Sequence, residues 1–195
     1  MSGDAVAGAD SLPNAFAIRR VAVIGAGIAG RSFALACAAV GFDVVIEDVM
    51  PANLRRAQEE YADLRAQAPP GRLEVALTVE DAVRAADVAV DFVPDELESK
   101  LEIFCLVDRM APPKTVLLTP SDALSITDLA SCTYRGDRCF AVRGGFVAGA
   151  AMRVVYPTSA LDEALVAVRN FLAALGGEVQ VEKDRDAPML VKNYL

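Results

Sequence analysis

Short apolar runs alternate along the chain with longer stretches rich in alanine and leucine. The apolar runs are continuous, as in Val21–Ile24, which indicates strands that are buried on both faces of a sheet. Strands that alternate with helices in this way are typical of parallel sheets with crossover connections. The pattern therefore predicts an α/β fold of the Rossmann type, with a doubly wound, mostly parallel sheet and helices on both faces.

The same pattern predicts the approximate bounds of each element. We expect strands near Arg19–Gly25, Asp43–Asp48, Leu73–Leu77, Asp87–Asp91, Thr115–Thr119, Arg138–Val142, Met152–Tyr156 and Glu178–Val181. We expect helices near Ile28–Val40, Asn53–Gln67, Val79–Ala85, Asp95–Met110, Ser125–Ala130 and Ala160–Leu175. Gly41 and the Gly176-Gly177 pair follow two of these helices, where glycine commonly ends a helix.

Length and composition limit the number of domains. The 195 residues, of which 54% are hydrophobic, are enough for one substantial core and too few for two ordinary α/β domains. Residues 1–17 are rich in alanine, glycine and aspartate, and they lack the features of a signal peptide. We expect a disordered tail over 1–17 and one dinucleotide-binding domain over 18–195, in a cytoplasmic protein.

Charge and residue usage argue against several classes of partner. A formal net charge of −8 does not suit a nucleic-acid surface. No apolar run reaches the roughly 18 to 20 residues that a membrane helix needs, so we expect no membrane partner. The four cysteines show no metal-binding spacing, and the chain contains no histidine, so we expect reduced, buried cysteines and no metal.

A glycine-rich segment joins the first predicted strand to the first predicted helix. It consists of Gly25, Ala26, Gly27, Ile28, Ala29 and Gly30, which is GxGxxG in the strand–turn–helix context that the motif requires. The first glycine permits a tight turn, the second admits a pyrophosphate, and the third brings helix and strand close. The segment predicts a dinucleotide site at a helix N-terminus, with a glycine turn used only for packing as the alternative.

An acidic residue closes the second predicted strand. Asp48 lies 18 residues after Gly30, close to the distance expected for a carboxylate that binds the adenosine ribose. Such a carboxylate repels a 2′-phosphate, so NAD is predicted rather than NADP. Arg55 and Arg56 lie just beyond it, and they would weaken this preference only if they faced the phosphate rather than solvent.

From Val21 to its last residue the chain resembles the N-terminal domain of the 3-hydroxyacyl-CoA dehydrogenase family. The distinctive segments are VPDELESK at 93–100, LSITDLA at 124–130, and the stretch from Lys183-Asp184 to Asn193. The resemblance implies that Asp48 holds the adenosine ribose and that Asp95 and Lys100 contact the nicotinamide half of NAD. Family members carry a helical dimerisation domain after the Rossmann domain, and we expect no C-terminal helical domain here.

Departures from the family cluster at its reaction centre. By resemblance, the substrate-contacting serine of the family falls at Asp122, and its catalytic histidine falls at Arg143. The glutamate that orients that histidine should lie near Val155 and Tyr156. We therefore expect the histidine–glutamate pair to be absent, while Asn193 retains a family active-site position.

The loss of that pair restricts the chemistry. Oxidation of a hydroxyl group by hydride transfer needs a base for the hydroxyl proton, and arginine stays protonated in proteins. Tyr156 could serve only beside a cation that favours its phenolate form. Each candidate also has a structural interpretation: Arg143 could pair with Asp122 or Asp137, Asp122 could cap a helix, Tyr156 could end a strand, and Lys100 could form helical ion pairs.

Three functions stay open at this point. The favoured one is an NAD-dependent oxidoreductase with histidine-independent chemistry, in which Arg143, Asp122, Tyr156 and Asn193 are the candidate catalytic residues and Arg143 binds a small or anionic substrate. The second is a catalytically silent NAD-binding sensor or partner subunit, and the third is half of a dehydrogenase whose helical domain is a separate chain. An open cleft predicts a homo-oligomer or a partner protein that covers it.

Overall fold

The computed structural model describes residues 16–67, 71–144, 146 and 151–185. In that part of the chain the strands are β1 (Arg20–Ile24), β2 (Asp43–Glu47), β3 (Leu73–Ala76), β4 (Val88–Asp91), β5 (Val116–Pro120), β6 (Cys139–Arg143), β7 (Met152–Tyr156) and β8 (Val179–Lys183). The helices are α1 (Ile28–Ala39), α2 (Pro51–Gln67), α3 (Val79–Val83), α4 (Leu97–Met110), α5 (Ile126–Ser131) and α6 (Asp162–Ala173). Every predicted strand and helix is confirmed.

Element boundaries differ from the predictions by a few residues for local reasons. Helix α2 begins at Pro51 rather than Asn53, because proline lacks only an N–H that the first helical position does not use. A short 3₁₀ turn at Gly136–Arg138, which the pattern did not predict, precedes β6. Gly41 and Gly176 have φ of +98° and +88°, so glycine supplies the left-handed residue after α1 and α6 as expected.

All eight strands form one sheet in the order β3-β2-β1-β4-β5-β6-β7-β8. Neighbouring strands are parallel except for the antiparallel pair β6–β7. The chain builds outward from β1 to β3 and then returns to place β4 on the other side of β1. The connections therefore diverge between β1 and β4, which opens a crevice at the carboxyl ends of these strands. This topology confirms the doubly wound, mostly parallel sheet.

The core has one layer on each face of the sheet. Val21 and Val23 of β1 face the layer that contains Phe33 of α1 and Phe171 of α6. Ala22 and Ile24 face the opposite layer, which is built on α3, α4 and α5. Burial of consecutive β1 residues on both faces explains why this strand is a continuous apolar run.

Phe16 corrects one predicted boundary. We predicted a disordered tail over residues 1–17, but the Phe16 ring packs against the core layer of α1 and α6. The guanidinium of Arg138 lies 5.6 Å from the centre of that ring. The rest of the predicted tail, 1–15, lies outside the described residues. Among the helices that are described, none is both long and apolar enough to cross a membrane.

Candidate functional site

The glycine-rich turn borders the crevice between β1 and β4. Gly25 has a φ of +99°, and its N–H donates a hydrogen bond to the carbonyl of Glu47 at 2.8 Å. A Cβ at Gly30 would overlap the carbonyl oxygen of Gly25, so only glycine lets α1 begin this close to β1. A Cβ at Gly27 would meet nothing within 4 Å. The backbone at Gly27 therefore borders open space into which a diphosphate fits.

The N-terminus of α1 points its free donors into that space. Gly27 is the N-cap, and no side chain in the described part of the chain caps the helix. Its first N–H groups therefore keep their hydrogen-bonding capacity and carry a partial positive charge. Ile28 is 80% exposed and Ala29 is exposed, so these two residues leave access to the helix end.

The Arg31 side chain holds the glycine-rich turn in place, a role that was not predicted from the sequence. Its Nη1 donates to the carbonyl of Ala26 at 2.9 Å, and its Nε lies 3.2 Å from Oε1 of Glu60. The Arg31 side chain is largely buried, so its bond to the Ala26 carbonyl is shielded from water, whereas Glu60 is partly exposed. The sequence feature that indicates this role is a charged residue on the otherwise apolar face of α1.

Asp48 lies beside the turn, directly after β2. Its Oδ2 accepts hydrogen bonds from the N–H of Ala26 at 2.6 Å and from Nδ2 of Asn53 at 3.0 Å, and its Oδ1 accepts one from the N–H of Met50 at 2.7 Å. Three donors therefore hold the carboxylate beside the glycine-rich turn. Val49 is 88% exposed next to it. Asn53 and Val49 were not predicted.

Glu47 places a second carboxylate next to Asp48. It is the last residue of β2 and is almost fully buried. Burial raises the pKa of Glu47, and the negative charge of Asp48 raises it further. Ionisation of Glu47 therefore lowers the stability of the folded protein.

Asp95 and Asp122 are brought together at the carboxyl edge of the sheet. The N–H of Asp122 donates to Oδ2 of Asp95 at 3.3 Å, and Oδ1 of Asp122 accepts from the N–H of Gly144 at 3.2 Å. These contacts link the segments that follow β4, β5 and β6. Asp122 does not cap α5, since Ser125 is the N-cap of that helix. The structure thus places Asp95, Asp122 and the end of β6 in one region beside the crevice.

Arg143 is the last residue of β6 and lines a cavity of about 300 Å³ with Asp122, Gly144, Arg153 and Gln180. Within the described residues no hydrogen bond or ion pair to Arg143 is found, and its Nε is buried without a partner. The structural alternatives for Arg143 do not hold here, because Asp137 pairs with Arg138 and Asp122 accepts from the Gly144 N–H. Its guanidinium is therefore available to an anion.

Lys100 lies in a different environment from the one that the family resemblance implies. Its side chain is fully buried, and its Nζ lies 2.7 Å from Oδ1 of Asp91 at the end of β4. Burial raises the pKa of Asp91, and the ammonium of Lys100 acts in the opposite direction. Lys100 thus pairs with Asp91 at the carboxyl end of β4, and in the described part of the chain it forms no ion pair with the exposed glutamates of its own helix.

Tyr156 is placed away from Arg143, and the reason is strand direction. In the antiparallel pair β6–β7, Arg143 lies opposite Arg153, so Tyr156 is at the far end of β7 beside Lys183 of β8. Its side chain also packs with the core layer of α1 and α6. The structure therefore does not bring Tyr156 into the cavity of Arg143. The predicted site residue Asn193 lies outside the described residues.

The strand order, the glycine turn and the placement of Asp48 together define a dinucleotide-binding domain of the Rossmann type. The family model for the 3-hydroxyacyl-CoA dehydrogenase NAD-binding domain matches residues 20–155. The chain belongs to this family, and its cofactor is NAD. The open space at Gly27, the free donors of α1 and the carboxylate of Asp48 fit that cofactor.

Individual relatives agree with this assignment. The chain is 30% identical over 134 residues to a probable 3-hydroxybutyryl-CoA dehydrogenase of Bacillus subtilis, which covers 62% of this chain and 46% of the relative. A 3-hydroxybutyryl-CoA dehydrogenase of Bradyrhizobium diazoefficiens is 26% identical over 181 residues, or 86% of this chain and 62% of the relative. The crystal structure of a 3-hydroxyacyl-CoA dehydrogenase of Archaeoglobus fulgidus superposes with a TM-score of 0.74 at 27% identity, over 86% of this chain and 57% of that one.

The chain spans only part of the length of these relatives, about half in the case of the Bacillus subtilis protein. The family and the relatives therefore establish an NAD-binding domain of dehydrogenase type. The reaction and the substrate of this protein have to be argued from its own site.

Proposed function

We propose that the protein is an NAD-dependent oxidoreductase that acts on a small anionic substrate by chemistry that needs no histidine. The observation that carries the proposal is the free guanidinium of Arg143 at the carboxyl edge of the sheet, with a buried Nε that has no partner among the described residues. A buried donor without a partner costs about 1–3 kcal/mol, so the Arg143 side chain gains free energy by turning this donor toward an anionic ligand in the adjoining cavity. The family's catalytic histidine falls at this position by resemblance, and the sequence contains no histidine.

The residues of this edge then have defined roles. NAD, when bound, supplies the hydride acceptor or donor. Arg143 binds and orients the anionic group of the substrate through its planar fork of donors. Asp122 is the carboxylate in the described lining that can orient the water that supplies or takes up the proton. In the reductive direction, hydride adds to the carbon of a C=O or C=N group and a proton from water adds to the heteroatom, so no histidine is required.

One relative supports a substrate with a free carboxylate. The 5-formyl-3-hydroxy-2-methylpyridine 4-carboxylate 5-dehydrogenase of Mesorhizobium japonicum is 30% identical over 122 residues, which are 57% of this chain and 40% of that protein. The substrate in its name is a small carboxylate. Other relatives are named for acyl-CoA substrates. The family thus includes enzymes of both kinds, and the free Arg143 favours the first kind for this protein.

A catalytically silent NAD-binding sensor or partner subunit is the second candidate. It is favoured by the composition of the Arg143 cavity, because arginine cannot act as a base and Asp122 is the one carboxylate among its described lining residues. Both candidate proteins bind NAD, but only the oxidoreductase converts a substrate.

The location and the assembly of the protein are parts of the same proposal. The four cysteines form no disulfide in the structure, which supports a reducing compartment such as the cytoplasm. Ile28, Val49 and Leu97 are exposed apolar residues at or near the cofactor edge, which supports a second copy or a partner protein at this surface. Sedimentation at several concentrations, with and without NAD, tests whether the chain self-associates.

NADH oxidation by the purified chain tests the function. Small 2-oxo and 3-oxo carboxylates should be reduced, their CoA thioesters should react more slowly, and Arg143→Gln should raise the KM for the carboxylates by about tenfold or more, since charged hydrogen bonds are lost. Arg169→Gln, which removes an exposed arginine from α6, is the matched control and should leave the KM unchanged. NADH binding without turnover of any carboxylate would favour the silent protein.

A further inference from the structure

A row of polar side chains crosses three strands at the carboxyl edge of β6. Arg143 of β6 lies directly opposite Arg153 of β7, and Arg153 lies beside Gln180 of β8. Residues paired in this way project from the same face of a sheet. All three side chains line the cavity of about 300 Å³. Two guanidinium groups and one amide thus border a single cavity that is open to solvent.

This arrangement is unfavourable without a ligand. Cβ atoms of directly opposed residues in an antiparallel pair are about 4.5–5.5 Å apart, and like charges at such positions destabilise the pair. Arg153 is half-exposed and has Oε2 of Glu182 at 3.5 Å, so its charge is partly balanced. Arg143 has no such partner among the described residues, and its Nε is buried. Asp122, Glu182 and Asp184 line cavities next to Arg143 without forming a hydrogen bond or ion pair to it in the described part of the chain.

We propose that Arg143 and Arg153 together bind one carboxylate group of the substrate, with Gln180 as an additional donor. This inference rests on the proposed function, because it names the class of substrate that the Arg143 site takes. A carboxylate in this cavity is attracted by both guanidinium groups and offsets the repulsion between the two side chains. Arg153 and Gln180 become specificity-determining residues.

The neighbouring charges favour a carboxylate over a phosphate. Asp122 lines the same cavity, and Glu182 lies against Arg153. These two carboxylates offset the charge of the two guanidinium groups, so the second negative charge of a phosphate gains no net attraction in the cavity. Arginine donors match carboxylate and phosphate alike in geometry, so the discrimination comes from charge. The cavity thus suits a small carboxylic acid.

The position of the row sets where the rest of the substrate lies. Strand β6 is separated from β4 by β5 alone, so it lies about 10 Å from the crevice that binds NAD, at about 4.8 Å per strand. A carboxylate held at Arg143 therefore places the rest of the substrate on the side toward β4.

Titration of the NAD-loaded, ¹⁵N-labelled protein with sodium acetate tests the site. The Nε–Hε signals of Arg143 and Arg153, assigned from the Gln variants, should both shift and saturate together. Arg143→Gln and Arg153→Gln should each weaken acetate binding by about tenfold or more, while Arg169→Gln should leave it unchanged. Sodium phosphate at equal ionic strength should bind more weakly, and sodium chloride should shift neither signal.

Several outcomes would overturn the two-arginine site. Acetate affinity that depends on Arg143 but not on Arg153 would do so, as would tighter binding of phosphate or an equal loss in Arg169→Gln. An NAD titration of each variant shows that the fold is kept. Acetate binding at both arginines without NADH turnover would refute the oxidoreductase and leave the site intact, whereas turnover that is unaffected by Arg153→Gln would refute the site alone.

Discussion

Lys100 and Asp91 form an ion pair inside the protein, with Nζ 2.7 Å from Oδ1 and side-chain exposures of 0% and 5%. The pair joins the first turns of α4 to the end of β4. It thereby holds the intervening segment, which carries Asp95, at the edge of the cofactor crevice.

Replacement of Lys100 by methionine should lower the free energy of unfolding by about 3–5 kcal/mol, because a buried carboxylate loses its partner. Urea denaturation measures this change. Lys114→Met, at an exposed lysine that forms no ion pair with the described residues, is the control and should change stability by less than about 0.5 kcal/mol. A Lys100→Met protein of normal stability that had lost NAD affinity would instead place Lys100 at the cofactor.

The two glycines of the turn should respond differently to substitution. Gly27→Val should fold normally, since its Cβ meets open space, and should weaken NAD binding by about tenfold or more because the side chain occupies the diphosphate position. Gly30→Ala should instead lower the melting temperature, because its Cβ would overlap the carbonyl oxygen of Gly25. Unchanged NAD affinity in Gly27→Val, measured by calorimetry, would contradict the proposed diphosphate site.

Asp48→Asn should shift the cofactor preference. The amide oxygen can still accept from the N–H of Ala26 or Met50, but the negative charge that repels a 2′-phosphate is gone. The ratio of NAD affinity to NADP affinity should fall by about tenfold. Asp43→Asn, at the half-buried start of β2, serves as the control, since its amide oxygen can still accept from the N–H of Arg72. If the ratio were the same in Asp48→Asn and the unaltered protein, Asp48 would not contact the ribose.

Glu47→Gln should stabilise the protein at neutral pH. Burial raises the pKa of Glu47 in the folded protein, so ionisation of this group favours the unfolded state. The resulting loss of unfolding free energy is fully present at pH values above the pKa of Glu47 in the folded protein. As the pH falls through that value the carboxyl group is protonated and this loss disappears. The gain in unfolding free energy of Glu47→Gln should therefore be largest at pH 7 and vanish below pH of about 4.

Chemical denaturation at pH 4, 5, 6 and 7 measures this trend. Glu74→Gln, at an exposed position on the neighbouring strand β3, should show little difference at any of these values. A gain in Glu47→Gln that is equal at pH 4 and pH 7 would show that the charge of Glu47 is not its cause.

The sequence alone determined the succession of strands and helices along the chain and the position of the glycine-rich turn. Val21–Ile24 is apolar at every position because both faces of β1 are buried, and a strand of that kind is visible without a structure. Gly25, Gly27 and Gly30 are constrained by local sterics, which depend on residues only a few positions away. Asp48 could be predicted because it follows the second strand directly, at about the distance from Gly30 that the dinucleotide-binding motif requires.

Contacts between distant segments were decided only by the tertiary structure. The antiparallel direction of β7 places Arg153 opposite Arg143 and sends Tyr156 to the other end of the sheet, and nothing within β7 encodes that direction. The burial of Lys100 depends on Asp91 of β4, nine positions earlier on a different element. Strand pairing and helix docking bring such residues together, and both depend on packing across the whole domain. The glycine-rich turn could therefore be predicted from neighbouring residues, whereas the row of Arg143, Arg153 and Gln180 could not.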